Sequence, residues 1–524
     1  MDCHDVRDPA GFSVLNYMRA TAFILLILSV AVAATGCRAI PREFDHPEPG
    51  FALAPATDGP LAELSKAFAA RVGDAQSGFL LLEKNDESLW WRLALIDSAE
   101  RSLDVMTYLW AADFSGRLLV ARMQQAANRG VRVRVLVDDF LTRRRDREIA
   151  ALYAHPNIEI RIWNPGRQRR LGRNVEYLVR LRELNHRLHN KVLIADNRVV
   201  ISGGRNLADA YWGLSEDYNF FDLDLLAVGP VVPPTSGMFD RYWNSPQAVP
   251  GHVLYGRASA DDIPNVTGSR RRWLEASPLS ALVPLDPEDW TERFDDAVTA
   301  LVPGDAEVIY DKPGEGAPSQ DALVGLQRFF RRAEHEVLVA NAYLVPGEPF
   351  FAEAALLEER GVDMAIITNS LGSTNQTIVH HAYARARVPM LEAGVRVFEM
   401  RHDGAMHAQL DTPPVVSDWI GLHAKAAVLD RKHVFIGSFN FSPRSRNLNT
   451  EMGILVHSEV FGAQVAAVMD RVMAPENAWQ LRLDQNNRLA WESADGTLTR
   501  QPAQSFWRRV QNGIFGLFPV EQHL

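Results

Sequence analysis

Two periods of apolar residues alternate along most of the chain. Residues 102–110 form a short strand-like apolar run, residues 118–128 carry apolar side chains at helical spacing, and residues 131–137 are rich in β-branched residues and end on Asp138-Asp139. Strand, helix, strand is the pattern of a βαβ unit and predicts a largely parallel sheet. The succession returns as a strand over 337–343, a helix around 350–359 and a strand over 362–368. Helical spacing then covers 378–393, ahead of a strand at 395–399. Pro- and Gly-rich stretches at 228–235 and 303–318 break the pattern.

The return is a duplication. Tyr108-Leu109 recurs as Tyr343-Leu344, Arg129-Gly130-Val131 as Arg360-Gly361-Val362 and His189 as His423, at offsets of 235, 231 and 234 residues. A near-constant offset over separate elements indicates that a whole domain was copied. The expected organisation is a first domain over 80–250, a connection over 251–300 and a second domain over 301–524. A linker over 37–79 precedes them.

The most specific feature lies inside the repeat. Residues 189–206 read H-N-K-V-L-I-A-D-N-R-V-V-I-S-G-G-R-N and residues 423–440 read H-A-K-A-A-V-L-D-R-K-H-V-F-I-G-S-F-N. On a strand, His and Lys at i and i+2 point to the same side. Two such strands facing across a pseudo-twofold would bring His189, Lys191, His423 and Lys425 to one phosphate. A neutral imidazole can attack phosphorus while a protonated one opposite donates to the leaving alkoxide. The lysines supply charge where it develops, Asn206 and Asn440 supply amide donors, and Gly204 and Ser438 complete the expected substrate-binding set. An imidazole at work needs a partner on its other nitrogen. Aligning the halves pairs Asp222 with Glu451, which are assigned that orienting role; Asp224 is the competitor on the same strand. Asp196 and Asp430 complete the phrase and are counted with the catalytic set, although their place suggests carboxylates that shape the strand-to-turn geometry. His155, His186, His380, His381, His402 and His407 read as surface or structural, with no metal-ligand spacing.

Composition narrows the partners. The chain has 524 residues, 47% of them hydrophobic, with 55 basic and 65 acidic side chains for a net charge of −10. That length requires more than one core. The acidic balance argues against a general nucleic-acid binder, which needs a basic surface. Cys3 and Cys37 are the only cysteines, too few for a disulfide framework or a cysteine-based zinc site. Arg19 precedes an uncharged apolar run over 20–34, and Ala34-Thr35-Gly36-Cys37 follows. This reads as a secretory signal over 1–36 with a lipobox-like end, Cys37 being the lipidated residue and Met18 an alternative start. An uncleaved anchor is the competing reading, but the run is shorter than the about 20 apolar residues of a full span. Between 167 and 187, Arg167, Arg169, Arg170, Arg173, Arg180, Arg182 and Arg187 interleave with leucines at helical spacing. This predicts a basic amphipathic helix suited to an anionic membrane.

The doubled H-x-K-x4-D phrase with its G-[SG]-x-N tail resembles the signature of the phospholipase D superfamily. Within it, the chain resembles the bacterial cardiolipin synthases of the C type. The further phrases are His186-Arg187-Leu188-His189, Asp222-Leu223-Asp224-Leu225, Thr368-Asn369-Ser370-Leu371, Tyr383-Ala384-Arg385, Ser442-Pro443-Arg444-Ser445 and Asn449-Thr450-Glu451-Met452-Gly453. The resemblance implies an α/β fold of two tandem α-β-α sandwich domains, a pseudo-twofold pair sharing one active site, with motifs at 183–210 and 417–444. It implies ping-pong phosphatidyl transfer through a phosphohistidine, with no metal or other cofactor. His189 would be the nucleophile and His423 the general acid, an assignment the sequence leaves open. The expected substrates are anionic phospholipids such as phosphatidylglycerol, at a membrane facing the periplasm or exterior. Hydrolysis by water, a nuclease and an idle lipoprotein scaffold are the alternatives.

Overall fold

A computed structural model describes residues 47–141, 146–166, 176, 179–255, 262–314 and 317–515. The expected signal, Cys37 and the arginines from Arg167 to Arg173 lie outside them. Residues 46–165 and 185–524 form one compact unit that contains both repeats; residues 166–184 belong to a second, small one. Among the described residues no helix is long and apolar enough to cross a membrane.

Each repeat builds one sheet, with the same strand order in both. In the first, edge to edge, the strands are Ala248–Pro250, Ile158–Trp163, Arg132–Asp138, Ser102–Thr107, Val192–Ala195, Val199–Gly203, Asp224–Val228 and Ser77–Leu82. In the second, read in the same sense, they are Ala478–Leu483, Arg396–Met400, Asp363–Asn369, Glu336–Asn341, Lys425–Leu429, His433–Gly437, Met452–His457 and Val302–Tyr310. Two short strands, Leu489–Ser493 and Gly496–Leu498, extend the outer edge.

The sheets are mixed, which corrects the expectation of a largely parallel sheet. Three strands of each repeat run parallel, and the rest pair antiparallel, two of them in each repeat as a hairpin. The twin phrase is itself the hairpin. Its central residues have positive φ, 53° and 52° at Asp196-Asn197 and 51° and 57° at Asp430-Arg431. Three residues separate the last paired positions, Ala195 and Val199 or Leu429 and His433; the twist of such a turn matches antiparallel strands, and so short a connection cannot join parallel ones.

Alternation along the second-sheet strands separates two cores. Leu338, Ala340, Ala365, Ile367, Ala426 and Val428 face a core that also takes in Leu188, Val192 and Ile194 of the first sheet. Val337, Val339, Met364, Ile366, Ala427 and Leu429 face the other way, onto Leu326, Phe330 and Leu357. A sheet covered on both faces needs apolar residues at both parities, so these strands appear in the sequence as unbroken apolar runs.

Three further expectations change. The stretch 303–318 begins inside a strand, Val302–Tyr310, instead of breaking the pattern. Its first residues pair with Ser77–Phe79 and its later ones with Met452–His457, so Pro303-Gly304 lies where the strand changes sheet partner, a position at which proline's missing N–H is tolerated. The helical spacing over 378–393 resolves into two helices, Thr377–Ala384 and Arg387–Glu392. The basic helix over 167–187 is not continuous: Leu181–Leu184 is helical, but Arg187–Leu188 is a strand. Arg187 is buried, its guanidinium 3.2 Å from Asp138. In the small unit, Arg180 is ion-paired to Glu176 and Glu183, which neutralises part of the expected cationic face.

Candidate active site

The two repeats meet through a pair of exchanged strands. Arg187–Leu188, leading into His189, pairs in parallel with Asn449–Thr450, leading into Glu451. Tyr218–Phe221, leading into Asp222, pairs in parallel with Trp419–Leu422, leading into His423. The ladders continue into the site, where the His189 amide donates to the Thr450 carbonyl at 3.1 Å and the His423 amide to the Phe221 carbonyl at 2.8 Å.

This registration crosses the partners. His189 Nδ1 donates to Glu451 Oε2 at 2.8 Å, and His423 Nδ1 donates to Asp222 Oδ2 at 2.6 Å. Each carboxylate expected to orient an imidazole does so for the other repeat's histidine. Because a carboxylate accepts, Nδ1 carries the proton and Nε2 presents its lone pair. Asp224 lies elsewhere, ion-paired with Arg92 at 2.8 Å and Arg205 at 3.3 Å.

All four H-x-K side chains are buried. Lys191 Nζ donates to the His189 carbonyl and sits 5.7 Å from the centre of the Tyr108 ring; Lys425 Nζ donates to the His423 carbonyl and sits 5.4 Å from that of Tyr343. Burial lowers Lys191 to about 7 and Lys425 to about 8. It lowers His189 to about 4 and His423 well below its usual value, with neighbouring lysines adding to the effect, so both imidazoles rest neutral. An anion placed between these groups would reverse much of that depression.

The two carboxylates differ. Glu451 accepts from Ser438 Oγ at 2.5 Å and Ser445 Oγ at 2.6 Å in addition to His189. Burial would raise it, but His189, Lys191 and the Ser438 hydroxyl outweigh burial and hold it below the usual range. Among the described residues Asp222 accepts only the Leu223 amide besides His423, and burial raises it to about 6. Gly204 stands where Ser438 stands in the second repeat. A Cβ there would lie 2.1 Å from Asp222 Oδ1, so the glycine makes room for the shorter acid.

Several expected roles therefore change. Gly204 and Ser438, expected in the substrate-binding set, stand against the carboxylates Asp222 and Glu451. Asp196 and Asp430, counted with the catalytic set, do not reach the site. Asp196 accepts the backbone amides of Glu100, Arg101 and Ser102, and Asp430 those of Glu334, His335 and Glu336. Each lies five positions along the strand from its lysine, about 16 Å at the usual rise. Of the two amides expected to bind substrate, Asn206 is occupied, accepting from the Leu109 amide and donating to Tyr211 Oη, whereas Asn440 Oδ1 is buried without a partner among the described residues.

Sequence reasoning missed Tyr211 and Ser445, each five residues beyond its repeat's asparagine. Tyr211 Oη lies 3.5 Å from His423 Nε2, while Ser445 holds Glu451. The equal spacing was a usable signal, hidden by the different residue types. Tyr108 and Tyr343 marked the repeat, and their rings stand edge-on to His189 and His423 at 5.2 and 5.8 Å. Asp311, pushed up to about 7 by burial, receives the Glu451 amide. Among the described residues no group of three or more His, Cys, Asp or Glu side chains is placed to hold a metal ion.

Such a site can bind one anionic phosphodiester, attack it with an imidazole Nε2 and protonate the leaving oxygen from the opposite side. A sequence-family profile described as "Cardiolipin synthase, PLD-like domain" matches the chain twice, over residues 93–243 and 326–473. The chain is 35% identical to cardiolipin synthase C of Escherichia coli K12 over 465 residues, 85% of this chain and 96% of that protein. It is 22% identical to cardiolipin synthase B of the same strain over 410 residues, 76% and 84% of the two chains. The crystal structure of a phosphatidylserine synthase from Haemophilus influenzae Rd KW20 superposes with a TM-score of 0.56 at 13% identity, covering 88% of this chain and all of that one; it shows the likeness of fold.

Proposed function

We propose, for a chain that belongs to the cardiolipin synthase family of phospholipase D-like enzymes, that it transfers a phosphatidyl group from one phosphatidylglycerol to the glycerol hydroxyl of another, making cardiolipin. The observation that carries this reading is that both H-x-K sets are complete and share one buried site with two unequal carboxylates. His189, backed by the ionised Glu451, attacks phosphorus. The Nε2–P bond forms as the P–O bond to glycerol breaks, and His423, which takes up a proton at Nε2 once the phosphate anion lies beside it, gives that proton to the leaving alkoxide. The acceptor hydroxyl then returns a proton to His423 as its oxygen displaces His189. His423 suits the proton-carrying role because Asp222, near 6, shares a proton with it readily and Tyr211 Oη is already at its Nε2. No metal takes part in this scheme. Lipidation of Cys37 would hold the enzyme at its substrate.

The test is product analysis with purified protein in vesicles of labelled phosphatidylglycerol. Cardiolipin and free glycerol are the expected products, in the presence of a chelator as in its absence. Phosphatidic acid as the main product would make the enzyme a hydrolase, and no lipid turnover would reject the reading.

A pH dependence follows from the buried groups. The lysines act as cations, so kcat/KM, which reports the free enzyme, falls as pH rises through about 7 to 8 where Lys191 and Lys425 lose their protons. On the acid side it falls as pH drops toward about 4, where His189 takes up a proton and loses its attacking lone pair. Steady-state rates on a soluble phosphodiester from pH 3.5 to 9 should trace this bell; a plateau to pH 9 would exclude charged lysines from the mechanism.

A further inference from the structure

Behind the second repeat's site lies a pocket the reaction scheme does not use. Its cavity volume is about 120 Å³, or about 810 Å³ of empty space when the open mouth is included; its lining is mainly apolar, as in small-molecule sites. Its walls are Leu326 and Phe330 of the helix Asp321–Phe330, Phe350 and Leu357 of the helix Glu348–Glu359, and Phe439 and Phe441. The last two flank Asn440, and Val345, also in the lining, follows Tyr343 by two residues. Two residues span at most about 7 Å, so the pocket begins within that backbone distance of the side chain standing against His423 and of the unpartnered amide. Polar groups are few. Glu353 faces Arg331 at 3.7 Å, and Arg446, in the lining, makes no ion pair among the described residues. The two helices that wall the pocket also expose Val324 and Leu356.

A core would be expected to close such a space, since unfilled apolar walls forgo their contacts. An apolar lining, a nearby cation and closeness to a phosphate-binding centre together describe a long hydrocarbon tethered to a phosphate. We propose that this pocket holds one acyl chain of the phospholipid whose phosphate enters the His189–His423 site, with Arg446 available to the lipid's charged end. The inference rests on the lipid-transfer reading above.

The test uses the full chain and two substrates, dioleoyl- and dibutyryl-phosphatidylglycerol. Ala354→Phe fills the pocket from the Glu348–Glu359 helix. Each buried methylene is worth about fourfold in affinity, so displacing three or more should lower kcat/KM on the dioleoyl lipid at least about 50-fold and leave the dibutyryl lipid within twofold. Equal rates on the dioleoyl lipid for variant and parent overturn the proposal.

A second measurement covers the case in which Ala354→Phe misfolds. Phe350→Trp, a conservative aromatic change, places a reporter in the pocket, and lysophosphatidylglycerol with a dibrominated stearoyl chain is added below its micellar concentration. Saturable quenching beyond that of the parent protein supports the proposal. Absence of quenching overturns it, as does a buried, blue-shifted reporter indifferent to lipid, the result expected if another part of the chain fills the pocket. If the parent protein turns over neither phosphatidylglycerol, the lipid-transfer reading fails, and the quenching result still decides whether the pocket takes a chain.

Discussion

Replacing His189 by alanine is expected to abolish phosphatidyl transfer, with a fall beyond the 10²–10⁴-fold typical of losing a general acid alone, because the group that forms the covalent bond is gone. His423→Ala should fall within that smaller range on lipids whose leaving group is an ordinary alcohol. The two are separable with a phosphatidyl ester of p-nitrophenol, whose leaving group needs no proton. His423→Ala should then release one equivalent of nitrophenol rapidly and stall, carrying a phosphatidyl adduct on His189 visible by intact-protein mass spectrometry. His189→Ala should give neither burst nor adduct. An adduct on His423 in the His189→Ala protein would reverse the assignment. The expectation rests on the unequal surroundings of the two rings: Glu451 gathers Ser438, Ser445 and His189, whereas Asp222 has one backbone amide and His423.

Glu451→Gln should rank second in effect, lowering kcat by about 10³–10⁴-fold while preserving the fold. A glutamine amide fits the same space but can turn its NH2 toward His189 Nδ1, which stabilises the tautomer with the proton on Nε2 and removes the attacking lone pair. Wrong-tautomer losses of this kind reach about 10⁴ in hydrolases that use a carboxylate–imidazole pair. Nitrogen-15 NMR of labelled histidine reads the tautomer directly. A purely structural role for Glu451 would lower stability and leave the His189 tautomer unchanged. Asp222→Asn is the matched control: it should slow transfer from lipids whose leaving group is an ordinary alcohol and spare formation of the adduct from the activated ester.

Much of this was legible in the chain alone. The repeat, its two halves and all eight of His189, Lys191, Asn206, Asp222 and their counterparts His423, Lys425, Asn440 and Glu451 stand out because duplication preserves local order and spacing. Other features were obscured for identifiable reasons. Asp196 and Asp430 belong to the same phrase as the reacting groups, and only the strand rise carries them away from the site. Arg187 read as a surface cation because its ion-pair partner, Asp138, is 49 residues distant. Tyr211 and Ser445 share a position but not a chemistry, so alignment by residue type passes over them. The parallel-sheet expectation failed because apolar runs report burial on both faces, not strand direction.

By itself, then, the sequence determined the inventory and its doubling: which groups are present, at what spacing, and that there are two of each. Tertiary structure alone decided who serves whom. The carboxylates act on histidines 262 and 201 residues away, and those pairings depend on strands exchanged between the repeats, which no local pattern encodes. It also made the two imidazoles unequal, because a hydroxyl or a missing side chain beside a buried carboxylate changes its charge state only once water has been excluded from both.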